Sequence, residues 1–288
     1  MAVYKRSYRS YSGPMTPAWS RFLVLYRASR RALFRSRGST AFFVLCFFFP
    51  LLCVLGVYAN SNLAAISFLG ERASQALRLD INGTFFLVYL TVQSTLSFIL
   101  TAFIGPGLIS PDLANGALTL YLSRPMSRAE YVLGKCSVLF IILSEITWVP
   151  GLVIFAVQAS LAGWHWASHN MWIATGIFLG SLIWILVLSL LAMALSAWVK
   201  WRIAAGAFLL AVFFMGGGFA QAINSVLRTK QGYLLDISNL VSVIWRDLLR
   251  AQNDASVPAG EAWVAVLAFV GLCLLLLVRK LKANEVVR

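Results

Sequence analysis

Six apolar stretches dominate this chain, at about 40–59, 84–108, 133–161, 171–198, 203–223 and 261–278. Each reaches, or nearly reaches, the roughly 20 helical residues needed to cross the hydrocarbon core of a bilayer. No water is available there to unpaired backbone amides and carbonyls, so continuous apolar segments of this length have to be helical. A β-barrel is excluded, because its strands alternate apolar and polar residues in segments of about ten. The expected fold class is an all-α polytopic membrane protein with six transmembrane helices over 40–278. The third and fourth stretches exceed a bilayer and are expected to tilt or project.

Charge supplies the orientation. The chain carries 24 Lys and Arg against 10 Asp and Glu, a net +14. Only 12% of residues are charged, where a soluble domain has about 25%. Six crossings put both termini on one side, which then holds eighteen of the basic residues. Nine of these fall within residues 1–40, and Arg124, Arg128, Lys135, Lys200, Arg202, Arg279, Lys280, Lys282 and Arg288 complete the set. The opposite side holds Arg72, Arg78, Arg228, Lys230, Arg246 and Arg250, balanced by acids. Positive residues stay cytoplasmic. Both termini are therefore expected on the cytoplasmic side of a multi-pass membrane protein. The basic excess is a topology signal, and nucleic acid is not an expected partner.

Cys46, Cys53, Cys136 and Cys273 lie in or at the edges of apolar segments with no CxxC spacing, so no disulfide framework is expected. Val57-Tyr58-Ala59 resembles a signal-peptide cleavage site. The forty residues before the first span favour an uncleaved anchor instead. Of these, 1–16 reads as a disordered basic tail. Thr16-Pro17 then opens a helix over 17–37, with Trp19, Phe22, Leu23, Tyr26, Leu33 and Phe34 near one face and Arg21, Arg27, Arg31 and Arg35 on another. Arg30 and Arg37 interrupt the stripe, and Gly38 can end it. Such a helix is expected on the inner membrane face, its arginines reaching the phosphates of anionic lipid. Residues 279–288 form a second basic tail.

Between the second and third spans lies a polar island, ISPDLANGALTLYLSRPMSRAEYVLGK, at 109–135. Ser110-Pro111-Asp112 combines an N-cap hydroxyl, a first-turn proline and an acid favoured by the helix dipole. This predicts a short helix from Ser110 to Arg124, stopped by Pro125. Ser127-Arg128-Ala129-Glu130 reads as a capping box that starts the next helix. A compact surface helix tied through Pro125 to a spanning helix can transmit a push.

The longest loop on the opposite side is 224–260. Within it DISNLVSVIWRDLLR has helical apolar spacing with Asp236 near its start. That helix can lie in the outer interface, act as a lid, or re-enter. No convincing internal repeat appears, so an inverted-repeat transporter has no support.

The search for chemistry returns little. His165 and His169 stand at i, i+4 without a nearby acid, and Trp164 and Trp166 beside them read as an interfacial belt. There is no nucleophile signature. Gly134-Lys135 lacks both the earlier glycine and the Ser or Thr of a phosphate-binding loop. Three features within the spans remain. Glu145 lies mid-span, where an acid costs several kcal/mol unless paired, protonated or water-facing. Pro150-Gly151 should kink the same helix. Gly216-Gly217-Gly218 allows a hinge or, more readily, close helix packing. Gln93, Ser94, Thr95 and Ser97 make the second span polar, which suits a dimer seam or a cavity. Gln93, Glu145 and Gly217 are the candidate pathway residues.

The island resembles the intracellular signature of ABC-2 type permeases, the membrane subunits of a class of ATP-binding cassette exporters. The match runs through Asp112, Gly116, Leu118, Leu122-Ser123-Arg124-Pro125-Met126-Ser127-Arg128, Tyr131 and Gly134-Lys135. The resemblance implies that the loop 109–130 is a coupling helix docked on a separate ATPase subunit. On that reading Ser110, Asp112, Asn115, Gly116, Leu118, Leu120, Arg124, Pro125, Ser127, Arg128 and Glu130 carry the coupling. It also implies that two permease chains pair as homo- or heterodimer, and that short re-entrant helices sit in the last external loop. ATP and Mg belong to the partner ATPase, and no cofactor is expected in this chain. The rival readings are an ATP-driven mechanotransmitter acting on an envelope or periplasmic accessory protein without solute transport, and a membrane-embedded enzyme. The second is disfavoured by the lack of a paired catalytic constellation.

Overall fold

The computed structural model describes residues 21–62, 79–115, 128–199, 201–251 and 256–283. All regular structure among them is helical: α1 (Arg21–Phe34), α2 (Arg37–Leu45), α3 (Phe48–Ser61), α4 (Gly83–Ile104), α5 (Pro106–Ala114), α6 (Arg128–Ile146), α7 (Trp148–Ala162), α8 (Trp164–His169), α9 (Met171–Trp198), α10 (Arg202–Leu227), a 3-10 turn (Gln231–Leu235), α11 (Ile237–Leu248) and α12 (Ala259–Ala283). Six helical segments are long and apolar enough to cross a membrane: Arg37–Ser61, Gly83–Asp112, Glu130–Ala162, Met171–Trp198, Arg202–Leu227 and Ala259–Lys280.

Prolines divide the first three of these spans. Pro50 has no amide to give the carbonyl of Cys46, and the helix breaks at Cys46–Phe47 between α2 and α3. Pro106 begins α5 directly after Gly105. Pro150 separates α6 from α7 at Thr147, whose carbonyl accepts both the amide of Gly151 and the hydroxyl of Tyr89, at 3.2 and 2.6 Å.

α9 is the hub. Of its apolar window 72% is buried, against 17% for α10, and it packs on α4, α5, α6, α7, α10, α11 and α12. Ile173, Ile177, Ile185, Val187, Leu188 and Met193 on this helix are all fully enclosed. Opposite them stand Phe86 and Leu100 of α4 and Leu139, Ile142 and Leu143 of α6, equally enclosed.

The segment after α10 folds back into the bundle. The 3-10 turn runs beside α10, where Gly232 donates to Asn224 Oδ1 at 2.8 Å and its backbone approaches Ala220 too closely to admit a side chain. Asp236 then caps α11, its Oδ1 accepting the Asn239 amide at 3.1 Å. α11 buries Ile237, Leu240, Val241, Ile244 and Trp245 against α9, α10 and α12. The helix expected in this loop is thus seated among the other helices, and Gly216 faces the carbonyl of Leu235. Of the triple-glycine run, Gly216 and Gly217 approach this returning segment, and Gly218 meets nothing within 4 Å.

At its other end the chain differs from expectation. The first helix stops at Phe34, and Gly38 lies inside α2; Thr40 Oγ1 donates to the carbonyls of Phe34 and Ser36 and braces the break. α1 packs on α6 with Tyr26, Leu33 and Phe34 against the core and Arg27, Arg31 and Arg35 exposed. The tail 1–16 and residues 284–288 lie outside the described residues.

α4 starts from a side-chain cap: Asn82 Oδ1 accepts the amides of Thr84 and Phe85 at 3.0 and 3.2 Å. Asn82→Ala should lower thermal-unfolding stability in detergent by about 1 kcal/mol, and Asn82→Asp should leave it unchanged.

Candidate functional site

Asp112, Tyr131 and Lys135 form one cluster at the junction of α5 and α6. Lys135 Nζ lies 2.9 Å from Asp112 Oδ2, and the Tyr131 hydroxyl donates to the same oxygen at 2.8 Å. Lys135 also stands 5.9 Å from the centre of the Tyr131 ring. Lys135 is 7% exposed and Tyr131 1%. Helical spacing explains half of this, since residues 131 and 135 are one turn apart on α6 and share a face. The other half is the approach of α5, which brings the acid to both.

Ser110 lies beside this cluster and is not the helix cap that Ser-Pro-Asp suggests. It sits inside α5, which begins four residues earlier at Pro106, and it is wholly buried. Its hydroxyl donates towards the carbonyls of Val199 (2.7 Å) and Ser196 (3.0 Å). The hydroxyl oxygen of Ser196 accepts the amides of Ile109 and Ser110 at 3.1 and 2.9 Å and bonds the carbonyl of Pro106. The Ser196 side chain of α9 thus ties the backbone of α5 at Pro106, Ile109 and Ser110 to the hub helix. Asn115 is exposed, and its amide bonds the carbonyl of Pro111. Glu130 lies in the first turn of α6. Gly116, Leu118, Leu120, Arg124, Pro125 and Ser127 lie outside the described residues, as does the side chain of Arg128.

The three candidate pathway residues separate. Gln93 is fully buried, and its Nε2 donates to Cys46 O at 2.9 Å, the carbonyl that Pro50 leaves without a partner. Its amide nitrogen thus mends a proline break. Glu145 pairs with Arg30 at 3.1 Å, and Arg30 also donates to the Tyr26 hydroxyl at 2.8 Å. The arginine that interrupts the apolar stripe of α1 is thus the one that reaches the mid-span acid. Gly217 stands against the carboxylate of Asp236.

Asp236 marks a residue that sequence reasoning treated only as a helix start. It borders a cavity of about 450 Å³ lined from α4 by Thr91, Ser94, Thr95 and Phe98, from α9 by Trp184, from α10 by Phe213 and Phe214, and from the returning segment by Ser238, Asn239, Ser242 and Trp245. Two signals pointed to it: an acid at the head of an amphipathic helix in an apolar chain, and a glycine run able to admit that segment.

Among the described residues no group of three or more His, Cys, Asp or Glu is placed to hold a metal ion. No protein-family model matches the chain, and no curated protein matches it.

Proposed function

We propose that this chain is the permease subunit of a two-component ATP-binding cassette exporter of the ABC-2 type, lying in a bacterial inner membrane with both termini cytoplasmic. A second permease chain completes the membrane pathway, and a separate subunit binds and hydrolyses ATP with Mg. The orientation rests on the excess of Lys and Arg at the end carrying the termini.

One observation carries the reading. Asp112, Tyr131 and Lys135 are three positions of the family-like pattern, separated by 19 and 23 residues, and they meet on a single carboxylate oxygen. The island between them begins and ends at this clamp. A push on the loop by an ATPase would pass through Lys135 into α6, and through the Ser110–Ser196 bonds into α9. Those are the third span and the most buried one. The exposed Arg27, Arg31 and Arg35 of α1 suit a surface of anionic lipid.

The test is co-purification in mild detergent. The wild-type chain should bring down an ATPase subunit bearing a phosphate-binding loop and should hydrolyse no ATP alone. Gly116→Trp should lose that association or its ATPase stimulation, while inserting and running as the same oligomer. A Gly116→Trp complex with full activity, or hydrolysis by the chain alone, would overturn the reading.

A further inference from the structure

We infer that the cavity headed by Asp236 binds a singly charged organic cation with an aromatic or alkyl body. Among the described residues lining it, Asp236 alone is charged. Its Oδ1 takes the Asn239 amide, and neither ion pair found among the described residues uses this carboxylate. The neighbouring Gly217 lies ten residues before the end of α10, about 15 Å along the helix. The acid therefore stands about three turns from the end of α10, half-buried on the cavity wall, where a cation is its natural complement.

Four of the five hydroxyls around it are turned to match. Thr91 donates to Leu87 O, Ser94 and Thr95 to Thr91 O, and Ser242 to Asn239 O. Asn239 Nδ2 is committed to Ser256. With these protons spent on backbone or neighbour, the oxygens present lone pairs to the cavity. The two indoles follow the same rule: Trp184 Nε1 donates to Ser97 Oγ at 2.9 Å and Trp245 Nε1 to Gly180 O at 2.9 Å. Both indoles are themselves nearly covered, at 5% and 4% exposure, so the ring surface left to a guest is chiefly that of Phe214. Trp184 packs edge-on against Phe213 and Trp245, with centroids 5.6 and 5.9 Å away, and Phe214 is largely uncovered. A carboxylate, acceptor oxygens and aromatic faces favour a cation over a neutral or anionic molecule of equal size. The volume, about 450 Å³, suits a small drug-like body rather than a bare ion.

This deepens the permease reading by naming the class of molecule handled, and it rests on that reading only for the step from binding to transport. The experiment measures binding of tetraphenylphosphonium to the purified full-length chain in detergent, with tetraphenylborate as the same shape bearing the opposite charge. Asp236→Asn and Asp236→Ser both keep a capping side chain for α11 and remove the charge. The expected result is saturable phosphonium binding, weakened about tenfold or more in both variants through loss of one close charge. Phe214→Leu should weaken it as well, and tetraphenylborate should bind less tightly than phosphonium. Equal phosphonium affinity in wild type and Asp236→Asn would overturn the inference. So would tetraphenylborate binding as tightly as phosphonium, the mark of a merely greasy pocket. Neither result bears on whether an ATPase co-purifies, so failure of the two ideas is distinguishable.

Discussion

Replacing Lys135 with methionine should destabilise the purified chain by about 3–5 kcal/mol, the usual consequence of removing one partner from a buried ion pair. The lysine is 7% exposed, and its ammonium lies 2.9 Å from Asp112. Without it the carboxylate, 17% exposed, keeps among the described residues the Tyr131 hydroxyl alone, one hydrogen bond for a largely buried charge. The loss comes from the abandoned anion, so Lys135→Met with Asp112→Asn should recover much of it. An exposed pair would behave differently, since surface ion pairs contribute about 0–1 kcal/mol. Unfolding of the two single variants and the double variant in detergent forms the cycle. If the double variant loses as much as the sum of the singles, the pair carries no coupling and the proposed clamp is wrong. In the assembled complex, Lys135→Met should also lower permease-stimulated ATP hydrolysis.

Hydropathy located the spans well because a bilayer's thickness leaves little freedom. The fourth span runs over 171–198 in both sequence and structure, and the second, expected over 84–108, is Gly83–Asp112. Local signals failed where a distant residue supplied what they assumed to be missing. Ser110-Pro111-Asp112 has the residues of a helix start, yet α5 already begins at Pro106, and the hydroxyl that would cap is taken by the carbonyls of Ser196 and Val199. Gln93 looked like one member of a polar face. Its purpose depends on Pro50, far away in sequence, which strands a carbonyl that only a buried donor on a neighbouring helix can satisfy. A proline inside an apolar span is therefore a signal to look for such a donor. Arg30 was legible as an anomaly before its meaning was. An arginine on the wrong face of a helix and a lone acid in mid-span are each costly, and their pairing accounts for both. The cavity stayed hidden because its walls come from α4, α9, α10 and the segment beyond α10, and no local pattern reports which helices converge.

A graded set of glycine substitutions should show how firmly the returning segment is seated. Gly83→Ala should be the most damaging. A methyl at this first position of α4 would fall within contact of the Leu249 carbonyl oxygen and close to Trp172. That oxygen belongs to backbone at the end of α11, where Leu249 is bonded to Trp245 O at 2.8 Å and Arg250 holds a left-handed conformation with φ 44°. It cannot step aside without moving the exit of the segment, and overpacking of this kind costs about 1–3 kcal/mol or more. Gly180→Ala should cost less, because the methyl meets the Trp245 ring at 2.8 Å. A side chain yields more readily than backbone, although the bond from Trp245 to Gly180 O restrains the ring. Gly218→Ala meets nothing within 4 Å and should be neutral or stabilising, by up to about 1 kcal/mol of helix propensity. Thermal unfolding in detergent reads all three, and limited proteolysis at 249–258 reports whether the segment has come loose. The order Gly83, Gly180, Gly218 is the expected result. A Gly83→Ala protein as stable as wild type would mean that the start of α4 and the end of α11 do not meet as described.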